Sequence, residues 1–458
     1  MKLFNQREHY RPLLAIGIPI MVGQVAIVLI SFIDNIMVGN HGLNELAAAA
    51  FVNNFLNLIL VLGMGFSYGL TPLVAEAHKL NQPGRAGLCL KGSMMLNLLL
   101  ALLLGVIAIG LSRHLEFFNL EKRLIPIALP YYYLQVISFF VSMIFNGFKQ
   151  FYDGLSRTKL PMYVTILGVV LNIVLNWGLI YGHLGLPEWG LYGAGIATLV
   201  SRVAMVTVLA GHFVATKTLK RERWEFFRGR VDRSILKPLG LLGLPVAIQL
   251  GLETASFTIA VIFVARIGGL ALAAHQVVNT VTVIGFLMYY GLGSATAIRV
   301  SHYRATNDYH EARNVARAAH QIGVLMGLAA MLIIWIIRHR VSYIFNSDPN
   351  LVPLVGLSLI PVVAYQLGDM LQIIYANALR GLEQVKMLVP ISVLCHIIVA
   401  PALGYLFAFV LCADHPEWQL VAVWSAFPVS LTLMGILLYR NFHKECHPIS
   451  SPFPEKYS

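Results

Sequence analysis

Twenty-one Asp and Glu residues occur in this 458-residue chain, and nearly all lie in polar stretches. Three do not. Asp34 follows Ile30-Ser31-Phe32-Ile33, Glu253 follows Gln249-Leu250-Gly251-Leu252, and Asp369 follows Gln366-Leu367-Gly368. An ionised carboxylate is costly in apolar surroundings. Acids kept there usually face a cavity, bind a cation or relay protons. The plainer alternative is an acid hydrogen-bonded only to hold helices together. Polar neighbours gather in the same runs. Asn172 and Asn176 are four apart, so they share one helix face, and Thr198 is placed to join them. His275 and Gln276 stand together, and Tyr365 precedes Asp369 by one turn. Asn, Thr, Tyr and Asp supply the oxygen ligands that hard cations require, although Asn and Thr also serve as interhelical glue. Arg202 lies deep in an apolar run, where a cation is costly: it snorkels, pairs with an acid or marks a misplaced span boundary, and the sequence leaves it unexplained. His396 reads as a packed histidine. No HExxH, CxxC or phosphate-binding loop occurs, so the chain is not expected to be an enzyme or to be driven by ATP.

The elements that position these residues follow from composition. Hydrophobic residues make up 58% of the chain and charged residues 12%, against about 25% charged in soluble domains. Mean hydropathy is +0.73. Apolar residues come in runs of about 20, the length that crosses a bilayer as a helix. Inside lipid every backbone polar group needs an internal partner, which favours helices. A β-barrel would need alternating segments of about ten residues, and runs such as 96–111 do not alternate. Twelve spans are expected: 13–38, 46–75, 88–112, 125–148, 160–182, 191–215, 238–265, 272–298, 314–337, 350–379, 387–411 and 418–439. The first is too long for a signal peptide and carries an acid, so it reads as a retained span. Cys89, Cys395, Cys412 and Cys446 show no pairing or metal-ligand spacing.

The net charge of +12 fits loop charges that set membrane orientation. Loops 40–45, 183–190 and 412–418 hold no Lys or Arg, whereas 217–237 holds Lys217, Lys220, Arg221, Arg223, Arg228, Arg230, Arg233 and Lys237. Both termini are therefore expected on the cytoplasmic side. A nucleic-acid patch is the disfavoured rival for 217–237.

That stretch divides the spans six and six, and the halves align. Adding 226 maps residues 12–86 onto 238–312 without a gap. Pro12 meets Pro238, Gly17 meets Gly243, Pro19 meets Pro245, Gly42 meets Gly268, Gly65 meets Gly291, and Asn81 meets Asn307. Shared apolar composition does not easily yield Gly, Pro and Asn matches in one register. The organisation expected is a six-helix lobe over 1–216, a basic cytoplasmic linker over 217–237, a second lobe over 238–445 and a tail over 446–458. Six spans per half make the repeats parallel, an architecture suited to alternating access. The acids break the repeat: Asp34 aligns with Ala260 and Glu253 with Ile27.

Gly17-Ile18-Pro19, Asp34-Asn35-Ile36-Met37-Val38-Gly39, Ala273-Ala274-His275-Gln276, Glu253 and Asp369 together resemble the multidrug and toxic compound extrusion (MATE) family, and within it the NorM-type branch. The resemblance covers roughly residues 10–445. It implies an all-α integral membrane protein of twelve helices, two six-helix bundles forming a V around a central cavity. It implies antiport of amphipathic organic cations against Na⁺ or H⁺, with no other cofactor. By position, Asp34 with Asn172, Asn176 and Thr198 resembles the N-lobe cation or proton site. Glu253, Asp369, Tyr365 and Gln276 resemble the C-lobe site, with Na⁺ at Glu253, Asp369 and Tyr365. Asn176 stands where some relatives carry Asp. The resemblance further implies a monomer in a bacterial inner membrane, bound to no nucleic acid. The rivals are a lipid-linked saccharide flippase of the same superfamily, which would need cavity cations for a pyrophosphate, and a membrane enzyme using paired carboxylates.

Overall fold

The computed structural model describes residues 7–113, 121–344 and 348–446. The expected tail lies outside them from residue 447 onward. The helices run in order: α1 Arg7–His41, α2 Leu43–Ser67, α3 Leu70–Lys79, α4 Pro83–Ser112, α5 Ile125–Gly154, α6 Lys159–Tyr181, α7 Gly190–Ala215, α8 Lys220–Arg228, α9 Arg233–Ile267, α10 Gly269–Ala305, α11 Tyr309–Ile337, α12 Leu351–Gly381, α13 Leu388–Ser392, α14 Ala400–Tyr405 and α15 Pro416–Glu445. Among the described residues, twelve helical segments are long and apolar enough to cross a membrane. The all-α, twelve-span expectation holds.

Three details depart from the hydropathy reading. The second span runs Leu43–Lys79 and breaks at Tyr68 and Gly69 between α2 and α3. The basic linker contains the helix α8. The eleventh span is largely π-helical, over Val393–Val399 and Leu406–Leu411, with α14 between.

The repeat reappears as geometry. At the 226-residue offset, α1 begins and ends where α9 does, and α2 starts with α10, α4 with α11, and α7 with α15. Gly42 and Gly268 are each the single residue between two spans. Asn81 (φ 53°) and Asn307 (φ 57°) are both left-handed. Behind each, the next N–H reaches back five residues: Gln82 N to Ala77 O at 2.8 Å and Asp308 N to Tyr303 O at 2.9 Å. This paired closure satisfies carbonyls a helix end leaves open, and Asn tolerates the left-handed position it requires. Ser156 and Glu383 make the same turn after spans four and ten.

The chain folds into two compact units, residues 18–255 and residues 1–17 with 256–458, so the divisions fall inside α1 and α9. In the 18–255 unit, α4 presents Leu99, Leu102, Leu103 and Val106 outward and Ala101, Gly105 and Ala108 inward. Apolar attraction does not drive helices together in lipid, so close packing of small residues takes over. The crossing of α2 and α9 shows this well. A Cβ on Gly69 would stand 2.6 Å from Gly243 N, one on Gly243 2.6 Å from Phe66 O, and one on Gly65 2.8 Å from Ala247 Cα. Backbone meets backbone there, and no side chain fits between. The unit of residues 1–17 and 256–458 is organised around the fully buried Trp424, which packs against His275, Phe257 and Phe427.

Candidate functional site

Asp34 is 8% exposed in the body of α1. Two helices supply its donors. Asn176 Nδ2 on α6 donates to Asp34 Oδ1, and Thr198 Oγ1 on α7 donates to Oδ2 at 3.3 Å. Asn176 Nδ2 also reaches Asn172 Oδ1 at 3.2 Å, and Asn172 Nδ2 lies 3.5 Å from Thr198 Oγ1. The one-turn spacing of Asn172 and Asn176 aims both inward, and both are fully buried. The four residues expected to act together in the first half are therefore one hydrogen-bonded group. One atom is left over: Asn176 Oδ1 is buried with no hydrogen-bond partner. An unfilled carbonyl acceptor beside a carboxylate is a donor set suited to a hard cation.

A second ring of residues escaped the sequence reading. Tyr131, Gln135 and Ser138 recur at positions i, i+4 and i+7 on α5, which places them on one face. Tyr131 Oη donates to Asn53 Oδ1 at 3.1 Å. Ser138 Oγ accepts from Arg202 at 2.8 Å. Arg202 and Tyr131 both stand within electrostatic reach of Asp34. This accounts for a cation in mid-span: Arg202 is one turn beyond Thr198 on α7, hydrogen-bonded by Ser138 and facing the field of an acid. A cavity of about 20 Å³ opens beside Asn53 and Gln135, enough for about one water molecule. The missed signal was the polar i, i+4, i+7 stripe, hidden in an otherwise apolar run.

In the second half, Asp369 is fully buried on α12, and its Oδ1 accepts from Gln372 Nε2 at 3.1 Å. Tyr365 is buried one turn away on the same helix. Tyr289 on α10, within electrostatic reach of Asp369, donates to Gln366 Oε1 at 2.9 Å. Gln276 is exposed, whereas its neighbour His275 is buried against the Trp424 ring, with centroids 5.1 Å apart. Glu253 is 8% exposed on α9, within the 18–255 unit. The structure thus gathers the first-half set. It places Tyr365 and Asp369 on one helix, Gln276 at the surface, and Glu253 in the other unit. His396 is buried in the Val393–Val399 π-helical stretch. Cys89, Cys395, Cys412 and Cys446 form no disulfide.

Comparison with known proteins agrees with the repeat. The MatE family model matches residues 19–178 and again 245–406. The two matches begin at the offset that aligns the halves. The multidrug resistance protein NorM of Photobacterium profundum is 24% identical over 405 residues, covering 88% of this chain and 89% of that protein. The probable multidrug resistance protein NorM of Mannheimia succiniciproducens is 26% identical over 439 residues, covering 95% and 93%. The crystal structure of the eukaryotic MATE transporter AtDTX14 superposes with a TM-score of 0.86 at 18% identity, covering 96% of this chain and 98% of that one. Two matched halves, twelve spans and relatives aligned over most of their length place this chain in the MatE family of multidrug and toxic compound extrusion transporters.

Proposed function

We propose that this protein exports amphipathic organic cations by antiport against Na⁺ or H⁺, with alternating access between its two halves. The observation that carries the reading is the buried Asp34 group. Its carboxylate is held by Asn176 and Thr198, and the neighbouring Asn176 Oδ1 acceptor is unfilled. Such a site gains from a proton or a small cation and still answers to its surroundings. In the proposed cycle, Na⁺ or H⁺ binds the carboxylates Asp34, Glu253 and Asp369 from outside. Neutralising them favours closure of the outer side. An organic cation from the inside then takes the same negative charge, and competition for that charge couples the two movements. Arg202 limits how strongly Asp34 attracts any cation.

The same reading assigns the lobes to residues 1–216 and 238–445, joined by the linker 217–237. Its supports are the repeat and the family model's double match. The Lys and Arg distribution supports cytoplasmic termini, and the bacterial NorM relatives support an inner membrane. The protein would work as a monomer. The deciding experiment is ethidium efflux from cells lacking their own pumps, with and without Na⁺. Wild type is compared with Asp34→Asn, Glu253→Gln and Asp369→Asn. Efflux lost in the variants supports carboxylate coupling, and Na⁺ dependence identifies the ion. Undiminished efflux in all three removes these acids from the mechanism.

A further inference from the structure

We propose that α8, Lys220–Arg228, is a membrane-surface helix that binds anionic phospholipid headgroups of the cytoplasmic leaflet. The inference rests on the span assignment and on the cytoplasmic placement of 217–237 given under the proposed function, and does not depend on what is transported.

The helix has two unlike faces. Glu222, Glu225, Phe226 and Gly229 face the protein. A Cβ on Gly87 of α4 would collide with the Glu222 carbonyl oxygen, and one on Gly84 would stand 3.2 Å from Glu225 Cγ. Lys91 Nζ donates to Gly229 O at 2.9 Å, and Phe226 packs edge-on to Phe213, centroids 5.5 Å apart. Both acids of α8 are therefore turned inward. Lys220, Arg221, Trp224, Phe227 and Arg228 occupy the other side, at i, i+1, i+4, i+7 and i+8, which in a helix is one face. Trp224 is 57% exposed and Phe227 60%. The Arg228 guanidinium lies 4.5 Å from the centre of the Trp224 ring. An outward face of two aromatic rings flanked by three cations, with no acid, suits neither water nor a protein core.

Its place in the chain supplies the partner. The membrane-spanning helix α7 ends at Ala215, five residues before α8 begins, and α9 starts at Arg233, five residues after α8 ends. The face is thus held where spans leave the bilayer. Aromatic rings partition to that boundary, and basic residues there attract anionic headgroups. Lys217, Arg230, Arg233 and Lys237 are also exposed beside it and enlarge the positive field. A soluble polyanion would meet the charges but would leave Trp224 and Phe227 unburied, so a lipid surface fits better.

The test uses the full-length protein in uncharged detergent, titrated with fluorescent phosphatidylglycerol or phosphatidylcholine and read by anisotropy. Wild type should prefer phosphatidylglycerol. The variant Lys220→Gln/Arg221→Gln/Arg228→Gln should bind phosphatidylglycerol roughly a hundredfold more weakly, since each cation near an anionic surface contributes about fivefold. Trp224→Ala/Phe227→Ala should also weaken it. Lys122→Gln/Arg123→Gln, before α5, should not. Equal phosphatidylglycerol binding by wild type and the triple variant overturns the proposal. So does an unchanged affinity in Trp224→Ala/Phe227→Ala together with full displacement of the lipid by a short single-stranded oligonucleotide, which would make the partner a soluble polyanion.

Discussion

Thr198→Val tests the Asp34 site at a single atom. The substitution keeps the shape of the side chain and removes the hydroxyl proton. That proton has two acceptors within reach, the Asp34 carboxylate at 3.3 Å and the Ala194 carbonyl at 3.0 Å. A hydrogen bond to a charged group is worth about 1.5–3 kcal/mol. Sharing with the carbonyl, and the longer distance to the acid, place this one near the lower bound, at about 1.5 kcal/mol, or roughly tenfold in an equilibrium constant. The expected result is a roughly tenfold change in the cation concentration that half-saturates ethidium efflux. Thr165→Val is the matched control. Thr165 is also buried and also bonds the carbonyl one turn back, Pro161 O at 2.8 Å, but touches no acid. Its variant should show only the general cost of losing a buried hydroxyl. If the two variants shift the half-saturating cation concentration equally, the hydroxyl does not act through Asp34 and the site reasoning fails.

Three further outcomes follow from packing, turns and burial. Gly243→Ala drives a methyl group into Phe66 O and should lower stability by about 1–3 kcal/mol, read as a lower thermal midpoint in detergent. Gly240→Ala, in open space on the same helix, should not, and equal midpoints would refute the tight α2–α9 crossing. Asn81→Ala and Asn307→Ala should each cost about 1–2 kcal/mol by forcing Ala left-handed, while the Gly variants hold the wild-type midpoint. Unequal losses at the two sites would argue that the turns are not equivalent. Glu222 on α8 holds its proton above the ordinary value of 4.5, because burial penalises the charged form. The folded state therefore binds that proton more tightly than the unfolded chain, and stability is lost as pH rises through the shifted ionisation. Glu222→Gln should remove this part of the pH dependence above pH 4.5. Parallel melting profiles for both proteins across that range would contradict the assignment.

Much of this architecture was legible because membrane helices obey few rules. Length and hydropathy gave twelve spans. The Gly, Pro and Asn matches at offset 226 anticipated helices that start in register and turns that close alike at Asn81 and Asn307. The shared face of Asn172 and Asn176 was readable from helical spacing, whereas their grouping with Thr198 around Asp34 came only from the family resemblance; the structure joins the four by hydrogen bonds. Other features left no mark in hydropathy. A span continues to look apolar through the break at Tyr68 and Gly69, and hydrogen bonding to the fifth residue rather than the fourth does not change composition. Arg202 was unexplained because its partner Ser138 is 64 residues away in sequence. The Tyr131, Gln135 and Ser138 stripe was overlooked because averaging over a window dilutes three polar residues. Linker 217–237 read as charge alone, and the inward turn of Glu222 and Glu225 required coordinates.

The π-helical eleventh span carries a mechanical implication. Each wide ring takes up one more residue than an α-turn, and one residue turns everything beyond it by about 100°. The two ends of this helix are therefore not bound to a common azimuth. Tightening a single ring would rotate one end against the other like a key in a lock, while most of the backbone bonds stayed made.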